Sequence, residues 1–192
     1  MIANKGYILL TDTGTLFTKM IKIYTKKPYN HASITFNSKL SEVYSFGRKN
    51  VKNPFIGGFV KEDIRSSLFK QANCAIYSFE VTEDGYDKMK QFIRDIEAKE
   101  QEYRYHILGL LGFIMNRPIT RKNAFFCSQF VACVLKEGTS VNFKKPLSLI
   151  APHDLQEIFN LQLVYKGKLK DYLYKNGDKE NRLLCQSYPV SV

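Results

Sequence analysis

The fold is organised around residues 124–135, Ala-Phe-Phe-Cys-Ser-Gln-Phe-Val-Ala-Cys-Val-Leu, in which a cysteine stands immediately before an apolar helical run. Glu137-Gly138, just beyond this run, is a helix stop signal. Cys127 is therefore predicted to lie in the first turn of a helix that packs against the core. The buried stripe of this helix is predicted from side chains at helical spacing, namely Phe130, Val131, Val134 and Leu135.

The position of Cys127 at a helix start favours its use as a nucleophile. Unpaired backbone N–H groups and the positive end of the helix dipole stabilise a thiolate there, which lowers the pKa of the thiol. Cys133 lies inside the apolar stripe, where a cysteine is ordinarily a small inert hydrophobe. Cys127 is thus the predicted reactive thiol.

A nucleophilic cysteine needs a base, and the chain offers three histidines, His31, His106 and His153. Residues 31–36 alternate like a half-buried strand that holds His31 on a polar face. His106 belongs to an apolar segment and His153 to a predicted helix start, so both are interpreted as structural residues. His31 is the predicted partner of Cys127.

The residue that orients His31 is expected on the strand that returns after it, predicted for residues 41–46. In one register Glu42 and Tyr44 share the face of the histidine, whereas a slip of one residue presents Ser45 instead. A carboxylate stabilises an imidazolium more strongly than a hydroxyl group does. Glu42 is therefore the preferred third catalytic residue, with Tyr44 and Ser45 as alternatives.

The remaining segments predict an α+β domain, with a small, mainly antiparallel, curled sheet packed against helices. Turn formers at residues 48–60 predict an irregular loop, and Gly57-Gly58 is interpreted as a tight turn within it. The apolar run at residues 107–114 is too short to span a membrane. Alternating patterns predict strands over residues 6–11, 74–81 and 162–173, and amphipathic patterns predict helices over 16–26, 83–101 and 152–159.

Length and composition predict a single domain. The chain has 192 residues, of which 44% are hydrophobic and 24% charged, as in ordinary globular proteins. Residues 1–192 are interpreted as one domain with a basic C-terminal extension at about residues 166–192. Because the sequence shows neither a signal-peptide pattern nor an apolar tract long enough for a bilayer, we expect a cytoplasmic protein.

The net charge of +11 makes an anionic surface a plausible partner. Lys19, Lys22 and Lys26 form a basic stripe on the predicted helix 16–26, which is consistent with peripheral association with a membrane or cell wall and equally with a solvated surface. No specific nucleic-acid site is predicted. The four cysteines lack zinc-site spacing and are expected to be reduced, and no metal or organic cofactor is expected.

Several short motifs resemble those of one family. Gly6-Tyr7-Ile8-Leu9-Leu10 resembles a Gly-Asp-Ile-Ile-Leu strand, and Asn30-His31-Ala32-Ser33-Ile34 resembles a His-x-Gly-Ile strand. Phe126-Cys127-Ser128-Gln129-Phe130-Val131 resembles a Tyr-Cys-Ser-Glu-Leu-Val helix start, and residues 151–155 resemble Thr-Pro-x-Asp-Leu. In this order the motifs resemble the circularly permuted papain-like hydrolases of the NlpC-type superfamily, the YiiX/YebB-like group, with lecithin retinol acyltransferase as a more distant relative.

The chain departs from the family pattern at three places. Tyr7 stands where the family strand has aspartate or asparagine, and Ala32-Ser33 replaces the x-Gly pair after the histidine. The family's glutamate on the returning strand, in Val-x-Glu-Ala, corresponds to Glu42, or to Ser45 if residues 43–46 are aligned with it.

The resemblance implies a permuted papain-like fold and a cysteine hydrolase, amidase- or peptidase-like, that uses Cys127 and His31 on an amide or ester. Cell-wall peptides are the substrates typical of the superfamily. A lipid-directed acyltransferase or thioesterase is the alternative that the likeness to lecithin retinol acyltransferase implies. A non-catalytic basic module that binds anionic lipid or nucleic acid is an alternative of another class.

Overall fold

The computed structural model describes residues 4–14, 26–49, 57–69, 71–105, 117–158 and 160–176. Its helices and strands follow one another along the chain, with two short 3-10 turns at Leu147–Leu149 and Asp154–Glu157. In chain order they are β1 (Asn4–Asp12), β2 (His31–Thr35), β3 (Tyr44–Arg48), β4 (Gly57–Lys61), β5 (Asn73–Val81), α1 (Glu83–Ala98), β6 (Arg104–Tyr105), β7 (Ala124–Phe125), α2 (Cys127–Gly138), β8 (Gln162–Lys168) and α3, which begins at residue 169 and is described to residue 176.

Six of the strands form one sheet in the order β4-β3-β2-β1-β5-β8. Every neighbouring pair in this sheet is antiparallel, and a short parallel pair joins β6 to β7. The predicted α+β architecture, a mainly antiparallel sheet packed against helices, is therefore confirmed. Strand β1 is central, because it pairs along its length with both β2 and β5.

Both faces of the sheet are covered, because successive side chains of a strand point to opposite sides. Ile8 and Leu10 of β1 belong to the larger core, which also contains the buried residues of α1 and α2. Leu9 points the other way, into a smaller core closed by α3 and by the segment after β4. Ser33 and Thr35, predicted on an open polar face of β2, are consequently buried beneath this second layer.

The Gly57-Gly58 pair lies in β4, so its interpretation as a tight turn is wrong. Gly57 lies opposite Arg48 and Gly58 opposite Gly47 in the ladder with β3. A Cβ atom on Gly57 would lie 2.6 Å from the Gly47 carbonyl oxygen, and one on Gly58 would lie 2.9 Å from the Tyr103 carbonyl oxygen. The glycines are therefore needed because other backbone segments approach this strand closely.

The register between β2 and β3 differs by one residue from the predicted register, in which Glu42 and Tyr44 lie on the face of His31. Ile34 lies opposite Tyr44. Residues 36–43 form turns and bends, so β3 begins only at Tyr44 and Glu42 is left exposed before it. Because the side-chain period of a strand is two, this shift moves Ser45 to the face of His31 and Tyr44 to the opposite face.

Helix α1 confirms the prediction of a helix that begins at residue 83. The Thr82 hydroxyl caps it by accepting a hydrogen bond from the Gly85 N–H at 3.2 Å, and the helix ends at Ala98, before the expected residue 101. A 3-10 turn at Asp154–Glu157 stands where a helix over residues 152–159 was expected.

The predicted last strand ends at Lys168, and α3 follows in its place. Leu169 is fully buried, and Tyr172 is buried beside it, so residues 166–176 belong to the sheet and its second layer rather than to an extension. Several predicted features lie outside the described residues. They are residues 177–192 of the predicted extension, residues 16–25 of the predicted helix 16–26, with Lys19 and Lys22, and His106 with the apolar run 107–114. Within the part of the chain that the structure describes, no helix has the length and apolarity needed to cross a bilayer.

Candidate active site

Cys127 is the first residue of α2, as predicted. Phe126 precedes the helix in an extended conformation and supplies no side-chain cap, while its carbonyl oxygen accepts the first helical hydrogen bond from the Phe130 N–H at 3.0 Å. Phe130 is fully buried, with its ring centroid 5.1 Å from that of Phe46. This anchor fixes the first turn of the helix against the sheet, and Cys127 itself is buried.

His31 is the first residue of β2, opposite Thr11 of β1. Its imidazole hydrogen-bonds to the Cys127 side chain, so the structure brings together the two residues predicted as nucleophile and base. Atom Nε2 of the ring lies 2.5 Å from Oε1 of Glu62. The contact to Glu62 leaves Nδ1 as the ring nitrogen available to the thiol.

Glu62 is the residue that orients His31. It follows β4, and its backbone N–H donates to the Val43 carbonyl oxygen at 2.8 Å, which continues the ladder between β4 and β3. Its side chain is only 7% exposed. While Oε1 contacts His31, Oε2 accepts a hydrogen bond from the Ser33 hydroxyl at 2.6 Å. Cys127, His31 and Glu62 thus form a continuous row.

Glu42 is not the partner of His31, so that prediction is wrong. It is exposed, and it hydrogen-bonds to Tyr44 rather than to the histidine. The ring of Tyr44 stacks on Phe59, with centroids 6.2 Å apart, in the larger core on the other face of β3. Neither residue therefore reaches the imidazole.

Ser45, the second alternative, lies beside the imidazole but does not replace the carboxylate. Its hydroxyl oxygen is 3.5 Å from His31 Nε2, while the hydroxyl donates to the Ala32 carbonyl oxygen at 2.8 Å. The shorter contact holds β2 to β3 through a side chain at the point where the two strands approach the active site. Ser45 thus supports the backbone next to the histidine.

The position of Glu62 near His31 could have been predicted if residues 57–61 had been interpreted as a strand and not as part of the loop 48–60. Val60 lies opposite Ser45 in the ladder, and Ser45 is on the face of His31. Glu62 lies two residues after Val60 and is therefore on the same face. Had β4 been recognised as a strand, strand periodicity would have placed this carboxylate next to the histidine.

The electrostatics of the row favour an ion pair. Burial alone would lower the pKa of His31, but the negative charges of Glu62 and Cys127 and hydrogen bonds to both raise the pKa well above its ordinary value. Burial alone would raise the pKa of Cys127, but the positive charge and hydrogen bond of His31 lower it. The backbone N–H groups of Ala32 and Ser128 lower it further, because they also hydrogen-bond to the sulfur. Both shifts act in the direction of a thiolate paired with an imidazolium.

The other described thiols lack these partners. Burial raises the pKa of Cys74 to about 12 and that of Cys133 to about 11. Both side chains are free thiols, as is Cys127. A low thiol pKa is therefore a property of the position of Cys127 and not of the fold in general.

Cys127 and His31 line a cleft of about 410 Å³. Its walls include the outer strand β4 and the end of β3, and Lys49 and Lys61 lie on it. Lys61 forms an ion pair at 2.7 Å with Glu97, at the end of α1, and Lys49 forms one at 3.7 Å with Glu100, in the turn that follows. A small molecule that enters this cleft therefore meets the side chains of Cys127 and His31.

His153 lies away from the cleft. The Asp154 carboxylate accepts the Ala151 N–H at 2.6 Å and pairs with Lys145 Nζ at 2.6 Å, which fixes the 3-10 turn. Burial lowers the pKa of His153. This environment agrees with a structural interpretation of His153. Among the described residues, no group of three or more His, Cys, Asp or Glu side chains is arranged to hold a metal ion.

Comparison with known proteins identified no relative of this chain. No protein-family model matches the chain, and no curated protein or solved structure matches it either.

Proposed function

We propose that the protein is a cysteine-dependent hydrolase with a permuted papain-like fold, acting on an amide or ester. The observation that carries the proposal is the buried row of Cys127, His31 and Glu62 on the wall of a cleft. Thiol, imidazole and carboxylate in sequence are the parts of a nucleophile, its base and the group that orients the base. The order of the residues along the chain, histidine before cysteine, also agrees with the permuted family pattern.

In the proposed reaction the Cys127 thiolate attacks the carbonyl carbon, and a carbon–sulfur bond forms as the carbonyl oxygen becomes an oxyanion. Backbone N–H groups at the start of α2 are the donors available to this oxyanion. The His31 imidazolium then gives its proton to the leaving amine or alcohol as the old bond breaks. Water attacks the resulting thioester, His31 takes its proton, and the carboxylic acid is released with the thiolate restored.

Glu62 forms and breaks no covalent bond in these steps. Its contact with Nε2 holds the imidazole with Nδ1 toward the sulfur and stabilises the imidazolium that the ion pair requires. The family resemblance favours a peptide amide, as in cell-wall peptides. Transfer of the acyl group to an amine or a lipid acceptor would use the same thioester and differ only in the last step.

The test is the formation of a covalent acyl-enzyme. The protein is mixed with an activated p-nitrophenyl ester, and its intact mass and tryptic peptides are measured together with nitrophenol release. We expect one acyl group on Cys127 and continued release of nitrophenol, both lost in Cys127→Ala and His31→Ala. Cys133→Ala is the matched control and should retain both. A wild-type protein that neither gains an acyl group nor releases nitrophenol, or that gains the acyl group at another residue, contradicts the proposal and favours a non-catalytic binding module.

A further inference from the structure

We infer that Ser33 is a positioning residue that holds the Glu62 carboxylate in the orientation His31 needs. The inference rests on the proposed function, because it concerns how the Glu62 carboxylate of the same site is held in its orientation. It rests on a contact that strand β2 makes with the outer strand of the sheet. Ser33 occupies the position at which the family motif has glycine, so the contact is a feature of this chain.

The geometry is that of one carboxylate shared between two residues of one strand. His31 and Ser33 are two positions apart on β2 and therefore point to the same face. Glu62 Oε1 lies 2.5 Å from His31 Nε2, and Oε2 lies 2.6 Å from the Ser33 hydroxyl. Each carboxylate oxygen thus has its own partner, and rotation of the carboxylate about its last bond would break both contacts.

Glu62 needs such a restraint because its backbone lies at the edge of the sheet. It follows β4, the outermost strand, and its long side chain must cross from there toward β2. A glutamate side chain has several rotatable bonds, and fixing them costs conformational entropy. Ser33 is fully buried and belongs to a strand paired on both sides, so its hydroxyl is a rigid reference point.

Ser45 does not duplicate this function. Its hydroxyl donates to the Ala32 carbonyl oxygen and lies 3.5 Å from the imidazole, so it supports the backbone and leaves the carboxylate to Ser33. His31 has two charged partners, Glu62 and Cys127. The charged side chains farther along the cleft are Lys49, Lys61, Asp63 and Glu100.

The test is a double-mutant cycle in which the reactivity of the Cys127 thiol is measured instead of catalytic turnover. The rate of Cys127 alkylation by iodoacetamide is measured against pH by peptide mass spectrometry for wild type, Ser33→Ala, Glu62→Gln and the double variant. We expect Ser33→Ala to move the apparent thiol pKa upward and to slow alkylation on the acidic side by about two- to tenfold, the effect of one hydrogen bond. In the Glu62→Gln background the same change should add less than about twofold, because Ser33 acts through Glu62.

Three further variants separate positioning from general packing. Ser33→Gly deletes the same hydroxyl with less bulk and should match Ser33→Ala, whereas Ser33→Thr keeps a hydroxyl and should restore the wild-type profile. Ser148→Ala is the matched control, because Ser148 is buried, lies outside the cleft and has no hydrogen-bond partner for its hydroxyl among the described residues. Its alkylation profile should equal that of wild type. Thermal unfolding of every variant establishes that it is folded.

The outcomes are distinct. Additive effects of Ser33→Ala and Glu62→Gln, or an unchanged Ser33→Ala profile beside an altered Glu62→Gln profile, overturn the role of Ser33 and leave the hydrolase proposal intact. A coupled cycle in a protein that acylates no ester supports Ser33 and refutes the hydrolase. A wild-type Cys127 that reacts no faster than Cys133 refutes both, because no ion pair then exists for the carboxylate to support.

Discussion

Replacing Glu62 with glutamine tests the assignment of the third active-site residue most directly. Glutamine has almost the same shape as glutamate, so Glu62→Gln removes the charge while leaving the side chain in place. Because the Glu62 side chain is 7% exposed and that of His31 is 14% exposed, solvent screens the contact weakly. The imidazolium loses its counter-charge, and the thiolate that depends on it becomes less populated.

The size of the effect follows from the contact. A hydrogen bond to a charged group contributes about 1.5–3 kcal/mol, and about 1.36 kcal/mol corresponds to a tenfold change in rate. Loss of the 2.5 Å contact between Glu62 Oε1 and His31 Nε2 should therefore reduce kcat/KM by roughly 10- to 150-fold. The alkaline limb of the pH profile should move to lower pH, because the negative charge that raises the pKa of His31 is gone.

The assay is hydrolysis of a p-nitrophenyl ester over the acidic to alkaline range, with the His31 ring protons followed by NMR in parallel. Glu42→Gln is the matched control, since it makes the same substitution at an exposed residue that does not contact the histidine. Its kinetics should be those of wild type. The reasoning is refuted if Glu62→Gln retains the wild-type profile, and the original assignment returns if Glu42→Gln alone alters it.

Three further outcomes are expected. At neutral pH, iodoacetamide should modify Cys127 and leave Cys74 and Cys133 unmodified, because burial raises the pKa values of those two thiols to about 12 and about 11; equal labelling of all three would contradict this. The lowered folded-state pKa of Cys127 contributes stability that is present above the pKa of the unfolded thiol, about 8.5, and is lost as pH falls through the folded value, so the drop in Tm caused by Cys127→Ser should be larger above that pH than at acidic pH. Gly85→Ala should lower stability by at least about 1–3 kcal/mol in urea unfolding, because its Cβ would lie 2.1 Å from the Gly138 carbonyl oxygen; Gly47→Ala, whose Cβ would have 3.5 Å to its nearest neighbour, should cost much less.

Local patterns were sufficient where neighbouring residues determine the structure. The helical spacing after Cys127 and the amphipathic pattern of residues 83–101 correctly predicted two helices, since both are properties of residues close in sequence. Alternation likewise predicted the strand that begins at His31 and its packing side. The types of these three elements, with Cys127 at a helix start and His31 at a strand start, could thus be obtained from the sequence.

Long-range pairing was not accessible in the same way. The register of β2 against β3 differs by one residue from the preferred prediction, and that difference exchanges the faces of Tyr44 and Ser45. Gly57-Gly58 has the composition of a turn, yet it lies in a strand because other backbone segments approach it closely. Glu62 was missed as a result, since its role depends on the strand that precedes it.

The separation of the active-site residues along the chain has a consequence for the newly made protein. The base and the nucleophile are 96 positions apart (127 minus 31), and the carboxylate lies between them at Glu62. In an unfolded chain Cys127 has neither the imidazolium nor the Ala32 N–H beside it, so its thiol keeps ordinary reactivity. Only packing of α2 against β2 brings His31 and the Ala32 N–H to the sulfur. Alkylation of Cys127 during refolding should therefore accelerate when these two elements meet, and its rate would report that step.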